Sequence, residues 1–296
     1  MSIAQKLLQW YHKNGRDLPW RGTTDPYRIL VSEIMLQQTQ VSRGLLYFDA
    51  WLKRFPDWQT LAHASNADVI HAWAGLGYNR RALILRDIAR QIIENGVPQS
   101  REAWLALKGI GPYTSAALTV FSLHQPAVPI DTNIRRVLGR IFFGKPYPQP
   151  ADDTRIEHMY KKELIDTKEF YEIPQALFDL ATMHCTKVPD CSVCKMKDVC
   201  KASKKFLSGS VEPPKQMVKK AAESAHRNKR YPDRIYRGRI LKLVREQGTQ
   251  TDIDHIGSVI DASYNIKLDH DWVQHMIDRL IADQLLRLTN SEISLG

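Results

Sequence analysis

The sequence predicts an all-α chain that closes on a small α+β unit. Apolar residues recur at helical spacing through most of the 296 residues, and alternating strand patterns are nearly absent before the C-terminus. The balance of 43% apolar to 25% charged residues is that of a globular protein, long enough for one large domain or two ordinary ones. A wholly disordered chain is thereby excluded. No apolar run approaches the ~20 residues that cross a bilayer. The opening MSIAQKLLQWYHKNGR lacks the apolar stretch of a signal peptide. A cytosolic monomer without membrane contact is the expectation.

The first helix with clear boundary signals opens at Asp25-Pro26, an N-cap followed by proline at the first helical position, and runs to Thr39. Further amphipathic runs cover 41–54, 66–74, 79–95, 112–123, 132–142, 152–166 and 173–184. Short Gly/Pro punctuation separates them, as in AGLGY and KGIGP. These elements make a first domain of residues 1–205.

Residues 206–230 have few large apolar side chains and read as a basic linker. The charge of +10 is concentrated here: Lys201 to Ile240 holds twelve Lys/Arg against three Asp/Glu, so 12 − 3 = +9. Such a field favours a polyanion such as nucleic acid. Residues 231–296 then read as three helices, within 235–248, 251–264 and 270–284, followed by a strand, a turn and a second strand. That is the outline of a winged helix.

Four features carry chemistry. All four cysteines fall in one stretch, Cys185, Cys191, Cys194 and Cys200, spaced C-x5-C-x2-C-x5-C. A disulfide framework would be spread along the chain, so four clustered thiols point to a [4Fe–4S] cluster or a tetrahedral zinc ion, and spacing does not choose between them. LKGIGPYTSAA places Gly109 and Gly111 in a turn opening a helix, either an ordinary connection or a site whose free N–H groups face a phosphate. Glu33 shares a helix face with Ile29 and Leu36; it is either a rim residue turned to solvent or a desolvated carboxyl able to donate a proton. Asp131 precedes an amphipathic helix, as an N-cap, as a carboxylate facing a developing cation, or as both.

Taken together, LKGIGPYT, an aspartate twenty residues beyond its second glycine, and the four-cysteine loop resemble the helix-hairpin-helix DNA glycosylases of the endonuclease III superfamily. RDLPWR, SEIMLQQTQV, GLGY and IDTNIRRVL resemble its adenine-mismatch branch, the MutY family, over about residues 5–205. The resemblance implies a two-lobed helical core with a flipped base between the lobes, and duplex DNA carrying a mismatched or damaged base as partner. It implies a bacterial, nucleoid-associated enzyme of base excision repair.

By the same resemblance Glu33 is the general acid, Asp131 stabilises the oxocarbenium-like sugar, and Asn133 is the asparagine of that motif. Tyr113 stands where the bifunctional lyases carry a Schiff-base lysine, which implies base excision without efficient β-elimination. Arg16, Leu18, Trp20 and Arg21 match the adenine-pocket strand, and Gln38 and Tyr78 match residues that wedge into the duplex. The four cysteines match ligands of a [4Fe–4S] cluster.

Three departures accompany the resemblance. The first cysteine interval is one residue shorter than usual. Gln175 stands at the position of a base-contacting glutamate, which leaves adenine permitted but makes thymine, uracil or a modified purine a live alternative. The family's Nudix-like C-terminal domain is replaced by the shorter helical unit, whose third helix region carries Asp269, Asp271, Asp278 and Asp283 against Arg279, poor charge for a DNA groove. A lesion-binding protein without catalysis would need neither Glu33 nor Asp131.

Overall fold

The computed structural model describes residues 1–212, 225–227 and 229–296. Much of the segment read as a linker, 213–224 and residue 228, lies outside the described residues. The helices are α1 (Ile3–Asn14), α2 (Pro26–Leu36), α3 (Val41–Arg54), α4 (Trp58–His63) and α5 (Asn66–Ala72). They continue as α6 (Arg80–Asn95), α7 (Arg101–Ala106), α8 (Pro112–Ser122), α9 (Thr132–Phe143) and α10 (Asp153–Glu163). Then come α11 (Ile173–Met183), α12 (Ser203–Leu207), α13 (Asp233–Gln247), α14 (Ile253–Ile260) and α15 (Ile266–Ala282). Strands β1 (Leu286–Thr289) and β2 (Glu292–Leu295) end the chain as an antiparallel hairpin. The expected predominantly helical chain with a small C-terminal sheet is what the structure shows. No helix among the described residues is long and apolar enough to cross a membrane.

Two compact units emerge. The first comprises residues 1–33 and 97–212, the second residues 34–96 and those from 225 onward. In the first unit α1, α9 and α11 pack round a core that includes Leu7, Trp10, Ile134, Leu138, Leu177 and Leu180. Helix α1 forms because its apolar positions lie on one face and a capping box, Ser2 with Gln5, satisfies its first N–H groups.

The second unit is built round α4 and α6, with Trp51 edge-on to Trp73 at 5.2 Å. The C-terminal helices enclose Tyr236 and Trp272, and the hairpin turns at Asn290 and Ser291, both left-handed as a two-residue hairpin loop requires. This C-terminal part is fastened to the same unit's helices: Arg80 pairs with Asp283 at 3.0 Å, and the Asn66 amide donates to the Gln284 carbonyl at 3.2 Å.

Several boundaries differ from expectation for identifiable reasons. Helix α2 stops at Leu36 rather than Thr39 because a buried guanidinium takes its last carbonyls. Helix α15 starts at Ile266 rather than 270, capped by Asn265. Asp269 is therefore inside this helix, 1% exposed and paired with Lys229 at 2.7 Å, so it contributes nothing to an acidic outer face. The end of the basic segment is accordingly packed on the C-terminal helices: Lys229 also reaches Asp261, and His226 stacks on Trp272 at 5.0 Å.

Candidate active site

Glu33 is carried by α2 between the buried Ile29, Leu30 and Ile34. Its partner is Tyr113, the second residue of α8, whose phenol hydrogen-bonds to the carboxyl. Two glycines set the start of α8. Gly109 is left-handed at φ 104°, a conformation that a side chain would strain, and Gly111 is the N-cap before Pro112. The tight 107–111 turn between α7 and α8 thus places Tyr113 at the first turn of its helix.

Burial pushes the Glu33 pKa from its ordinary 4.5 up to about 7. Tyr113's hydrogen bond opposes that rise and the nearby charge of Asp131 adds to it. Burial also drives the Tyr113 pKa well above its usual range, reinforced by Glu33 and Asp131, so the phenol keeps its proton. Glu33 and Asp131 are therefore close enough to feel each other, with one carboxyl able to stay protonated near neutrality.

Asp131 caps α9. Its Oδ1 accepts the N–H groups of Asn133 and Ile134, each at 2.8 Å, and its Oδ2 accepts Asn133 Nδ2 at 2.7 Å. Asn133 Oδ1 in turn accepts Arg136 Nη2 at 3.1 Å, and Arg136 Nε donates to the Cys185 carbonyl at 2.7 Å. A polar chain thus runs from the carboxylate to the first cysteine. Neither Arg136 nor this chain was visible in the sequence.

The 16–21 strand is organised by a residue that the motif reading missed. Asp179 is fully buried on α11. It accepts Arg16 N at 2.8 Å and Nε at 2.7 Å, and both terminal nitrogens of Arg21 at 2.8 Å. Burial alone would raise its pKa, but the hydrogen bonds from Arg21 and Arg16 outweigh that and hold it low. Both guanidiniums are thereby committed to Asp179, while Leu18 and Trp20 are buried. A lone carboxylate in the apolar run IPQALFDLATM was the available signal.

Gln175 lies one turn earlier on α11, and its Oε1 accepts the Tyr11 hydroxyl at 2.9 Å. Tyr11 in turn lies beneath the Arg21 guanidinium, 5.8 Å from ring centre to cation. Phe178, one turn beyond Gln175, meets Tyr113 edge-on at 6.5 Å. One face of α11 thus leads from Tyr113 to the Gln175 amide.

Cys185, Cys191, Cys194 and Cys200 line one pocket. Burial raises the thiols of Cys191, Cys194 and Cys200, the last to about 11. The fully buried Arg140 donates to Cys185 Sγ at 3.3 Å, and to the carbonyls of Thr186, Lys187 and Pro146. Among the described residues no group of three His, Cys, Asp or Glu side chains is gathered closely enough to hold a metal ion; by donor chemistry alone, four thiols on one pocket with a hydrogen-bond donor to one sulfur suit an iron–sulfur group or a zinc ion.

In the second unit, Gln38 and Tyr78 sit on exposed loops, both left-handed at φ 56° and 48°.

The model for the HhH-GPD superfamily base excision DNA repair proteins matches residues 31–162, a span that includes Glu33, Tyr113 and Asp131. The adenine DNA glycosylase of Mycobacterium tuberculosis (strain H37Rv) is 36% identical over 247 residues, 81% of this chain and 77% of that protein. That of Mycolicibacterium smegmatis is 37% identical over 258 residues, 84% of this chain and 83% of its own. Among solved structures, a thermostable thymine-DNA glycosylase superposes with a TM-score of 0.63 at 27% identity, over 69% of this chain and 95% of that one. A trapped endonuclease III–DNA covalent intermediate superposes at 0.58 and 18% identity over the same shares, a likeness of fold.

Proposed function

Since this chain belongs to the adenine DNA glycosylases of the HhH-GPD superfamily, we propose that it excises adenine mispaired with guanine or 8-oxoguanine, with Glu33 as proton donor and Asp131 as the carboxylate facing the sugar. The observation that carries this reading is the pairing of Glu33, whose pKa is about 7 beside the Tyr113 hydroxyl, with the hydrogen-bonded carboxylate of Asp131.

The neutral Glu33 carboxyl gives its proton to adenine N7, so the electrons of the C1′–N9 bond leave with a neutral base. The sugar is left oxocarbenium-like, and the Asp131 charge stabilises it. Water adds to C1′, and the proton it loses resets Glu33. Asn133 and Arg136 keep Asp131 oriented. Tyr113 holds the Glu33 rotamer and offers no amine, so excision proceeds without a Schiff base. Accordingly, borohydride treatment during turnover is expected to trap no covalent DNA adduct; an adduct would assign the chain to the lyases.

Gln175, pinned by Tyr11, serves as the reader of the base's exocyclic group, within a pocket walled by Leu18 and Trp20 and braced by the Arg16–Asp179–Arg21 cluster. An amide presents either a donor or an acceptor, whereas a carboxylate only accepts. Gln175→Glu is therefore expected to raise the ratio of adenine to hypoxanthine excision about tenfold, roughly 1.4 kcal/mol. Single-turnover rates on the two bases measure it, and an unchanged ratio would remove Gln175 from base contact.

Cys185, Cys191, Cys194 and Cys200 hold a [4Fe–4S] cluster in this reading. When bound it supplies a cross-link that shapes the loop next to the basic segment, and no step of the hydrolysis passes through it. The Gly109–Gly111 turn offers its N–H groups to a DNA phosphate, and Gln38 and Tyr78 enter the duplex. Residues 1–205 form the glycosylase domain and 231–296 a winged-helix-like unit, joined by the basic segment 206–230, whose end packs on the C-terminal helices. The Arg80–Asp283 and Asn66–Gln284 contacts support a bracing role for that unit. The experiment that tests the whole reading is single-turnover release of adenine from mismatched duplexes with a Glu33→Gln control.

A further inference from the structure

We propose that Arg81 is a positioning residue for opening the duplex. Its guanidinium ties together the loops that carry Gln38 and Tyr78 and holds both in the conformation that meets DNA. The proposal rests on the glycosylase reading and adds a residue that neither that reading nor the sequence motifs assigned.

Gln38 and Tyr78 are exposed residues with left-handed backbones, which is strained for any residue bearing a side chain, and Tyr78 is 63% exposed. Two such residues in separate loops need something that over-determines both. Arg81 is that element. It is 8% exposed, and its partners are carbonyls, a hydroxyl and two ring faces. Nη1 donates to the carbonyls of Ile34 at 2.9 Å, Met35 at 3.0 Å and Gln37. Nη2 donates to Thr39 Oγ1 at 3.2 Å, and to the carbonyls of Leu76 at 3.3 Å and Gly77 at 3.0 Å.

These acceptors flank Gln38 on both sides and lead directly into Tyr78. The cation also lies over the Tyr78 ring at 5.6 Å and over the buried Trp73 at 5.2 Å. Trp73 Nε1 donates to the same Gly77 carbonyl at 3.0 Å. Only a planar fork of donors spans both loops at once; the compact ammonium of lysine does not. Because Ile34 and Met35 lie in the last turn of the helix that carries Glu33, the same cation fixes where that helix stops. An amide and a phenol are thus presented on pre-set tips, so the strain is met within the fold rather than when DNA binds.

The test uses the full-length holoenzyme and a duplex with 2-aminopurine at the target position, whose fluorescence rises on unstacking. Arg81→Lys and Arg81→Met are expected to bind this duplex but lose the fluorescence rise. They are expected to excise a paired adenine about 10²-fold more slowly. An adenine in an unpaired bulge, already out of the stack, is expected to lose far less. Thr39→Val removes a single acceptor at the loop and is expected to shift the same paired-to-bulged ratio several-fold, which serves if the Arg81 variants fold poorly. Full unstacking by the variants, or equal losses on both substrates, would overturn the proposal. Failure of the parent enzyme to release any adenine would sink the glycosylase reading instead, and the fluorescence comparison would still decide the role of Arg81.

Discussion

Glu33→Gln is expected to lower single-turnover excision by about 10³-fold at pH 7, within the range that positioned general acids contribute. Duplex affinity is expected to stay within a few-fold, because the amide keeps the shape and loses only the transferable proton. With a Glu33 pKa of about 7, the parent's rate should be flat below that pH and fall tenfold per unit above it. The variant should also be more stable than the parent in mild alkali. The folded chain holds the Glu33 proton up to about pH 7, whereas the unfolded chain releases it near 4.5. Folding therefore takes up a proton between those values, and the parent loses stability as pH rises through that window. A neutral amide escapes this loss, about 3 kcal/mol at pH 8 by the linkage of pKa to stability. Denaturant midpoints at pH 8 measure it. A variant that is slow but no more stable would mean that Glu33 is not held protonated by burial.

Asp131→Asn is expected to slow excision about 10²–10³-fold through loss of the charge facing the sugar. Here the stability effect has the opposite sign. Asp131 accepts from Asn133 Nδ2 while Asn133 Oδ1 accepts from Arg136. An asparagine at 131 sets an amide donor against the Asn133 donor. If Asn133 turns over to relieve this, its own donor then meets Arg136. One donor is orphaned either way, at a cost of about 1–3 kcal/mol. A variant with near-normal rates would undo the electrostatic role. One that is slow but fully stable would mean that the Asn133–Arg136 chain does not depend on the charge.

The contrast between these two carboxyls shows what the sequence made legible. Both stood out by position, Glu33 on an apolar face and Asp131 before an amphipathic helix, and the glycines of the hairpin marked where Tyr113 would begin α8. Helical spacing revealed most elements because one face of each is buried. What stayed hidden depended on distant pairing. Arg16 and Arg21 looked like pocket residues until Asp179, about 160 positions away along the chain, claimed their guanidiniums. The end of α2 was misplaced because Arg81 captures its carbonyls, a long-range effect that leaves no local signal. Asp269 counted as an exposed acid until Lys229, from the segment read as linker, covered it.

Whether a neutral Glu33 drives release of adenine is read from single-turnover excision on A:8-oxoG, A:G, T:G, U:G and 2-hydroxyadenine duplexes. Adenine is expected to leave the first two duplexes, and Glu33→Gln is expected to slow its release about 10³-fold. Release of thymine or uracil alone, or adenine release from Glu33→Gln at a rate near the parent's, would overturn this role for Glu33.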